Sequence, residues 1–302
     1  MSDVRLAIKV DVDTDRGTRC GVPALLDLFD ELQIRATFLF SLGPDNTGRA
    51  LKRIFRPGFF SKVSRTSVVS TYGLRTLLNG VLWPGPHIGR RNAAVMRAAR
   101  DRGHEVGIHC YDHIRWQDGL ASMTRAQVDA EWGKARREFE RIFGAPAKTA
   151  GAAGWQANYL SLAAYDEANL LYASDVRGTQ IFFPRANNVV FKTLQIPTTL
   201  PTLDELLGRP QYPEARLVDQ YLTWMQPRQL NTLTTHAEIE GMSKFDLFRR
   251  LLVQAREKNI HFLRLDELAR QALVERANIP VCDVLAGEID GRSGTLAVQH
   301  CS

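Results

Sequence analysis

A chain of 302 residues with 44% hydrophobic side chains is long enough for one large domain or two small ones, with a sizeable core. No run of about 18 apolar residues is present, which excludes a transmembrane helix. The net charge of +6 is unevenly spread: Gly43 to Gly103 holds twelve Lys/Arg against two acids, Asp45 and Asp101, which suits an anionic surface, although no nucleic-acid motif accompanies it.

In chain order, residues 5–10 read as a buried strand that ends in two carboxylates, Asp11 and Asp13. A helix over 22–32 and a strand over 36–40 complete a βα unit and argue for a parallel sheet. The rhythm then breaks. Residues 43–90 form a basic, aromatic insertion in which Leu51, Ile54 and Phe55 have helical spacing and Lys52, Arg53 and Arg56 lie off that stripe. This is the composition of an interfacial helix on an anionic membrane, or of an ordinary cap over the core.

Regularity returns with a helix over 92–102 and a strand over 105–108 that runs into His109, with His113 four residues on. Thr124 as N-cap and Gly144 with Pro146 bound a helix over 124–143. Strands are expected over 149–155, 171–174, 193–198, 230–235 and 260–263, and helices over 160–169, 212–225, 243–258 and 266–276. The alternation implies a wound α/β fold, a distorted (β/α) barrel of seven or eight strands, over residues 1–276. Residues 277–302, with Gly287, Gly291 and Gly294 and no amphipathic pattern, read as a loosely packed tail. Cys20, Cys110, Cys282 and Cys301 are scattered, show no CxxC, and read as free thiols of a reducing compartment, with Cys110 packed in the core. The N-terminus meets acidic residues too early for a secretory signal, so the chain is expected in the cytoplasm.

Polar groups fall repeatedly at strand C-termini: Asp11 and Asp13, His109, Asp175 and His236. That edge carries the active sites of barrel-like α/β folds. Residues i and i+2 of a strand share a face, so Asp11 and Asp13 project together. Asp13, His109 and His113 are the expected ligands of one divalent ion (Zn, Mn, Co, Ni or Fe), with Asp11 as base and His236 as the acid that protonates a leaving amine. The pieces fit metal-assisted amide hydrolysis.

DxD on the first strand, HxxxH, and a late strand-end histidine together resemble the polysaccharide deacetylase (NodB homology) family over about residues 6–273. In that family an acidic pair supplies base and ligand, HxxxH two ligands, and a late histidine the acid. Two departures stand out. Val12 separates the acids, so the roles of Asp11 and Asp13 are exchangeable. The third motif, Arg-x-Pro-aromatic, is reduced to Ala152-Ala153-Gly154-Trp155, which leaves no arginine to orient the base. Asp175 and Arg177 are candidates for that role; Asp175 would alternatively tune His236. Glu238 and Glu240 would contribute, or would simply be solvated.

DVDTDRGTRCGVP, SLGPDN, WPG-x-x-IG, HEVGIHCYDH, SDVRG, QIPTTLPT and HAEIEG further resemble a branch of the family that deformylates a lipid-linked formamido-sugar. This implies an N-formyl substrate on a lipid phosphate at the cytoplasmic face of the inner membrane, with the protein peripherally attached. It also implies a part in lipid A modification and cationic peptide (polymyxin) resistance. An N-deacetylase of another sugar, and a catalytically dead carbohydrate- or lipid-binding module, are the alternatives.

Overall fold

The structure, a computed structural model, describes residues 4–50, 76 and 78–301. The Leu51, Ile54 and Phe55 stripe and most of the basic insertion lie outside the described residues. The elements are β1 (Arg5–Val12), α1 (Val22–Glu31), β2 (Thr37–Ser41), α2 (Ile88–Asp101), β3 (Glu105–Cys110), α3 (His113–Gly119), α4 (Arg125–Phe143), β4 (Thr149–Ala150), α5 (Tyr159–Glu167), β5 (Tyr172–Ala173), β6 (Phe183–Ala186), β7 (Val189–Val190), β8 (Leu194–Gln195), α6 (Leu203–Leu206), α7 (Leu217–Trp224), β9 (Thr232–His236), α8 (Phe245–Glu257), β10 (His261–Leu263), α9 (Leu265–Val274), β11 (Val281–Gly287) and β12 (Leu296–His300).

Eight strands form one parallel sheet in the order β10-β1-β2-β3-β4-β5-β8, with β9 also paired to β1. The chain after β8 returns to β9, where the amides of Thr199 and Leu200 donate to the Thr232 carbonyl. The sheet therefore curls into the expected (β/α) barrel. β1 is buried from Leu6 onward: strands pair along both of its edges, Leu6, Ile8, Val10 and Val12 join the main core, and Ala7 joins a second cluster. Gly107 in β3 permits close strand packing, since a Cβ there would lie 2.5 Å from Thr149 Cγ2.

The capping signals of α4 hold as read. Thr124 and Gln127 form a reciprocal capping box, and Gly144 ends the helix at φ 73°. Three expectations need correction. Residues 149–155 are strand only at Thr149–Ala150; the chain then turns through a 3-10 turn, Ala153–Trp155. Residues 277–302 are not a loose tail: β11 and β12 form a hairpin in a second sheet, ordered β12-β11-β6-β7. Its glycines serve the hairpin, because Gly287 makes room for Val298 and Gly291 and Gly294 turn the chain at φ 87° and 78°. The four cysteines are not all free thiols either. This hairpin brings Cys282 and Cys301 together as a disulfide, while Cys20 and Cys110 are free. Cys110 is buried in the core, as expected.

Candidate active site

The site lies at the C-terminal ends of β1, β3 and β9. Asp13 follows β1 at a turn held by a buried carboxylate: Glu238 Oε1 accepts from the amides of Asp13 (3.2 Å) and Thr14 (2.9 Å) and from Thr14 Oγ1 (2.7 Å). His109 is the penultimate residue of β3. Asp112 caps α3 by accepting from the Arg115 amide, and this reverses the chain so that His113 opens the helix facing His109. Asp13 Oδ1 lies 3.2 Å from His109 Nε2 and 3.4 Å from His113 Nε2. One donor atom from each of the three falls within 4.8 Å of the others. Asp13 Oδ1 is buried and accepts no hydrogen bond. An orphaned carboxylate oxygen facing two imidazole nitrogens fits a divalent cation.

Burial would raise the Asp13 pKa, but the facing His113, His109 and His236 outweigh it and hold the carboxyl far below the usual range. Burial pushes Glu238 up to about 8, with the Asp13 charge adding to it. Glu240, which accepts from the His236 amide at 2.8 Å, is likewise raised by burial to about 8. Both glutamates are buried, so solvation does not explain them.

Asp11 is level with His236, its register partner across the β1–β9 ladder. Its Oδ1 is 3.8 Å from His109 Nδ1 and its Oδ2 is 3.4 Å from Lys9 Nζ. Lys9 is fully buried and also donates to the Ser174 carbonyl at 3.1 Å. It is therefore the cation beside Asp11, a residue that the sequence reading missed. The signal was present: Lys9 is the one basic residue inside an apolar run, two positions before Asp11 and so on the same face.

The two residues nominated for that task, Asp175 and Arg177, make their contacts elsewhere. Asp175 accepts from the Ala152 amide (2.6 Å) and Gln195 Nε2 (2.8 Å), fixing the third-motif turn, and burial raises its pKa to about 6. Nor is Asp175 the acid paired with His236; that place is taken by Asp204, whose Oδ1 is 4.0 Å from His236 Nδ1. Arg177 pairs with Glu205 and reaches the Thr198 and Leu200 carbonyls. Trp155, at φ 52°, donates from Nε1 to Thr198 Oγ1 at 3.1 Å, and its ring stands edge-on to His236 at 6.5 Å. Lys9, Arg177 and Arg292 flank the indole at 5.3, 5.5 and 4.2 Å.

Comparison with known proteins agrees with this geometry. The Polysaccharide deacetylase family model matches residues 9–172. The chain is 39% identical over 295 residues to a Shewanella sediminis protein named "Probable 4-deoxy-4-formamido-L-arabinose-phosphoundecaprenol deformylase ArnD", covering 98% of this chain and 94% of that one. It is 32% identical to the protein of the same name from Wigglesworthia glossinidia brevipalpis, over 94% of this chain and 98% of that one. A solved structure from Mycobacterium smegmatis, described as a "putative polysaccharide deacetylase", shares the fold at a TM-score of 0.66 and 14% identity, over 95% of this chain and 96% of that one. With its catalytic-end carboxylates and histidines gathered as described and its relatives matched nearly end to end, this chain belongs to the polysaccharide deacetylase family.

Proposed function

We propose that the chain hydrolyses the N-formyl amide of 4-deoxy-4-formamido-L-arabinose carried on undecaprenyl phosphate, releasing formate and the free 4-amino sugar. The observation that carries this reading is the convergence of Asp13, His109 and His113 opposite His236, in a chain that matches the two named deformylases along most of its length. Asp13, His109 and His113 would hold one divalent ion, with Zn, Mn, Co, Ni and Fe all suited to the donor set. What such an ion supplies is polarisation of a carbonyl and a more acidic water.

The remaining chemistry belongs to the chain. Asp11 takes the proton of the attacking water, held in place by Lys9. His236 gives a proton to the departing amine, which leaves poorly without one. Glu238 keeps the Asp13 turn in place, and Asp175 keeps the Ala152 turn in place. The 3.8 Å approach of Asp11 to His109 Nδ1 favours a second reading, in which Asp11 orients that imidazole rather than acting as base.

A lipid carrier calls for work at a membrane surface, and the proposed place is the cytoplasmic face of the inner membrane, with the protein peripherally attached. No described helix is long and apolar enough to cross a membrane. Val81, Leu82 and Trp83 are exposed on a turn tied to the catalytic mouth: Arg49 Nε donates to the Gly80 carbonyl, the Gly48 amide to the Asn79 carbonyl, and Asn46 Nδ2 to Asp112 beside His113. The product amine would serve lipid A modification and resistance to polymyxin.

The test is mass spectrometry of the formamido-sugar lipid and an acetamido control after incubation with enzyme and each metal, repeated with Asp11→Asn. Loss of the formyl group alone, abolished by Asp11→Asn with metal content unchanged, is the expected result. Loss of metal together with turnover would assign Asp11 to holding His109. An intact formamido lipid under every metal would refute the activity.

A further inference from the structure

We propose that the C-terminal hairpin completes the catalytic machinery: Arg292, on the loop between β11 and β12, is the positioning residue that sets Asp204 against His236 for proton delivery. The inference rests on the reading of His236 as the acid.

The loop is anchored for this purpose. Arg209 reaches Asp290 at 2.6 Å, and a Cβ on Gly291 would lie 2.5 Å from the Glu205 carbonyl, so only glycine lets the chain pass. Gln156 Nε2 donates to the Thr295 carbonyl at 2.8 Å, which ties the loop to the Trp155 turn. β12 is stitched beside Arg177, whose amide donates to the Ala297 carbonyl and whose carbonyl accepts from the Gln299 amide.

The Arg292 side chain enters the site from this base. Nε donates to Glu205 Oε1 at 2.7 Å, while NH2 donates to Asp204 Oδ2 at 3.2 Å and Oδ1 at 3.4 Å. Its guanidinium lies over Trp155, the ring that faces His236. Asp204 and Glu205 share the one-turn helix α6, where Thr202 Oγ1 donates to Asp204 Oδ1 at 2.5 Å and the Thr202 amide donates to Glu205 Oε2 at 3.0 Å. Thr202 holds Asp204 through Oδ1 alone, and Arg292 adds the contact to Oδ2 that fixes the plane of the carboxylate. Arg292 grips both carboxylates, and Arg177 donates to the same Glu205 oxygen, Oε1.

His236 Nδ1 is buried and makes no hydrogen bond, and Asp204 Oδ1 is 4.0 Å away. A shift of about 1 Å brings the pair to hydrogen-bond distance. A proton held on Nδ1 leaves Nε2 as the nitrogen that exchanges a proton with the reacting amine. A planar fork suits this task better than an ammonium, because the guanidinium contacts two carboxylates at set angles and an ammonium can keep only part of that hold.

The test compares wild type, Arg292→Met and Arg292→Lys as full-length, zinc-loaded protein. Long-range 15N imidazole spectra, with His236 assigned through His236→Asn, should show one Nδ1-protonated tautomer in wild type and a mixture in Arg292→Met. With the formamido lipid, kcat should fall at least about tenfold in Arg292→Met with KM within about twofold and zinc stoichiometry unchanged, and Arg292→Lys should recover part of it. An unchanged His236 tautomer in Arg292→Met would overturn the inference, as would an unchanged kcat. If wild type releases no formate, the deformylase reading fails, and the spectra still decide whether Arg292 sets His236.

Discussion

Glu105 concentrates three hydrogen bonds on one oxygen: Oε2 accepts from Thr37 Oγ1 (2.6 Å), Tyr172 OH (2.6 Å) and the Asp266 amide (3.1 Å). Burial nevertheless wins and raises its pKa from 4.5 to about 7. Next to it, burial lowers His104 from 6.5 to about 4. The two have opposite linkage. Glu105 favours the fold fully below pH 4.5, and that contribution is lost as pH rises through about 7. His104 favours the fold above pH 6.5, and that contribution is lost as pH falls through about 4. Glu105→Gln should therefore gain stability relative to wild type by up to about 3 kcal/mol as pH rises from 5 to 8, read by urea unfolding. An equal difference at both ends of that range would refute the assignment. At this scale the catalytic end was largely legible, because a charged or imidazole side chain closing an apolar strand has no packing reason to be there. Lys9 was not, since a lysine inside a strand reads as an exception until its depth is known. Asp204 was hidden because no periodicity announces a one-turn helix.

The hairpin of β11 and β12 shows why some elements escape sequence reading. Three glycines and a missing helical period look like looseness, yet glycine is what a tight turn and a close strand contact require. The pairing of Cys282 with Cys301 depends on that hairpin, and scattered spacing could not announce it. The disulfide closes a loop across a separation of 19 residues, for which chain entropy gives about 3 kcal/mol. Cys301→Ser should lose stability of this order in denaturant titration, and a reductant should bring wild type down to the variant without affecting the variant itself. A reductant effect of equal size on both would show that the bond contributes nothing. The long helices were legible for the opposite reason: α4 carries its start and stop in Thr124, Gln127 and Gly144.

On the scale of the whole molecule, charge and apolar exposure fall on the same stretch of chain. The twelve Lys/Arg between Gly43 and Gly103 include Arg49, which is bonded to the turn that exposes Val81, Leu82 and Trp83. Sedimentation with anionic vesicles should be strong at low salt and weaken as salt rises, since each basic group near the surface contributes about 1 kcal/mol that ions screen. Leu82→Ser with Trp83→Ser should weaken it further while leaving hydrolysis of detergent-dispersed substrate intact. Binding to neutral vesicles that ignores salt would remove the basic stretch from the account.

The β1–β9 ladder has one more consequence. Asp11 and His236 are held rung to rung, and the gap between neighbouring strands is about 4.8 Å. A parallel ladder is not a joint. The proposed proton acceptor and proton donor cannot be drawn apart or pinched together without unzipping the β1–β9 ladder. Adjustment to a differently shaped sugar must come from the loops above the sheet, and evolution toward new acyl groups is expected to rewrite those loops while leaving this rung alone.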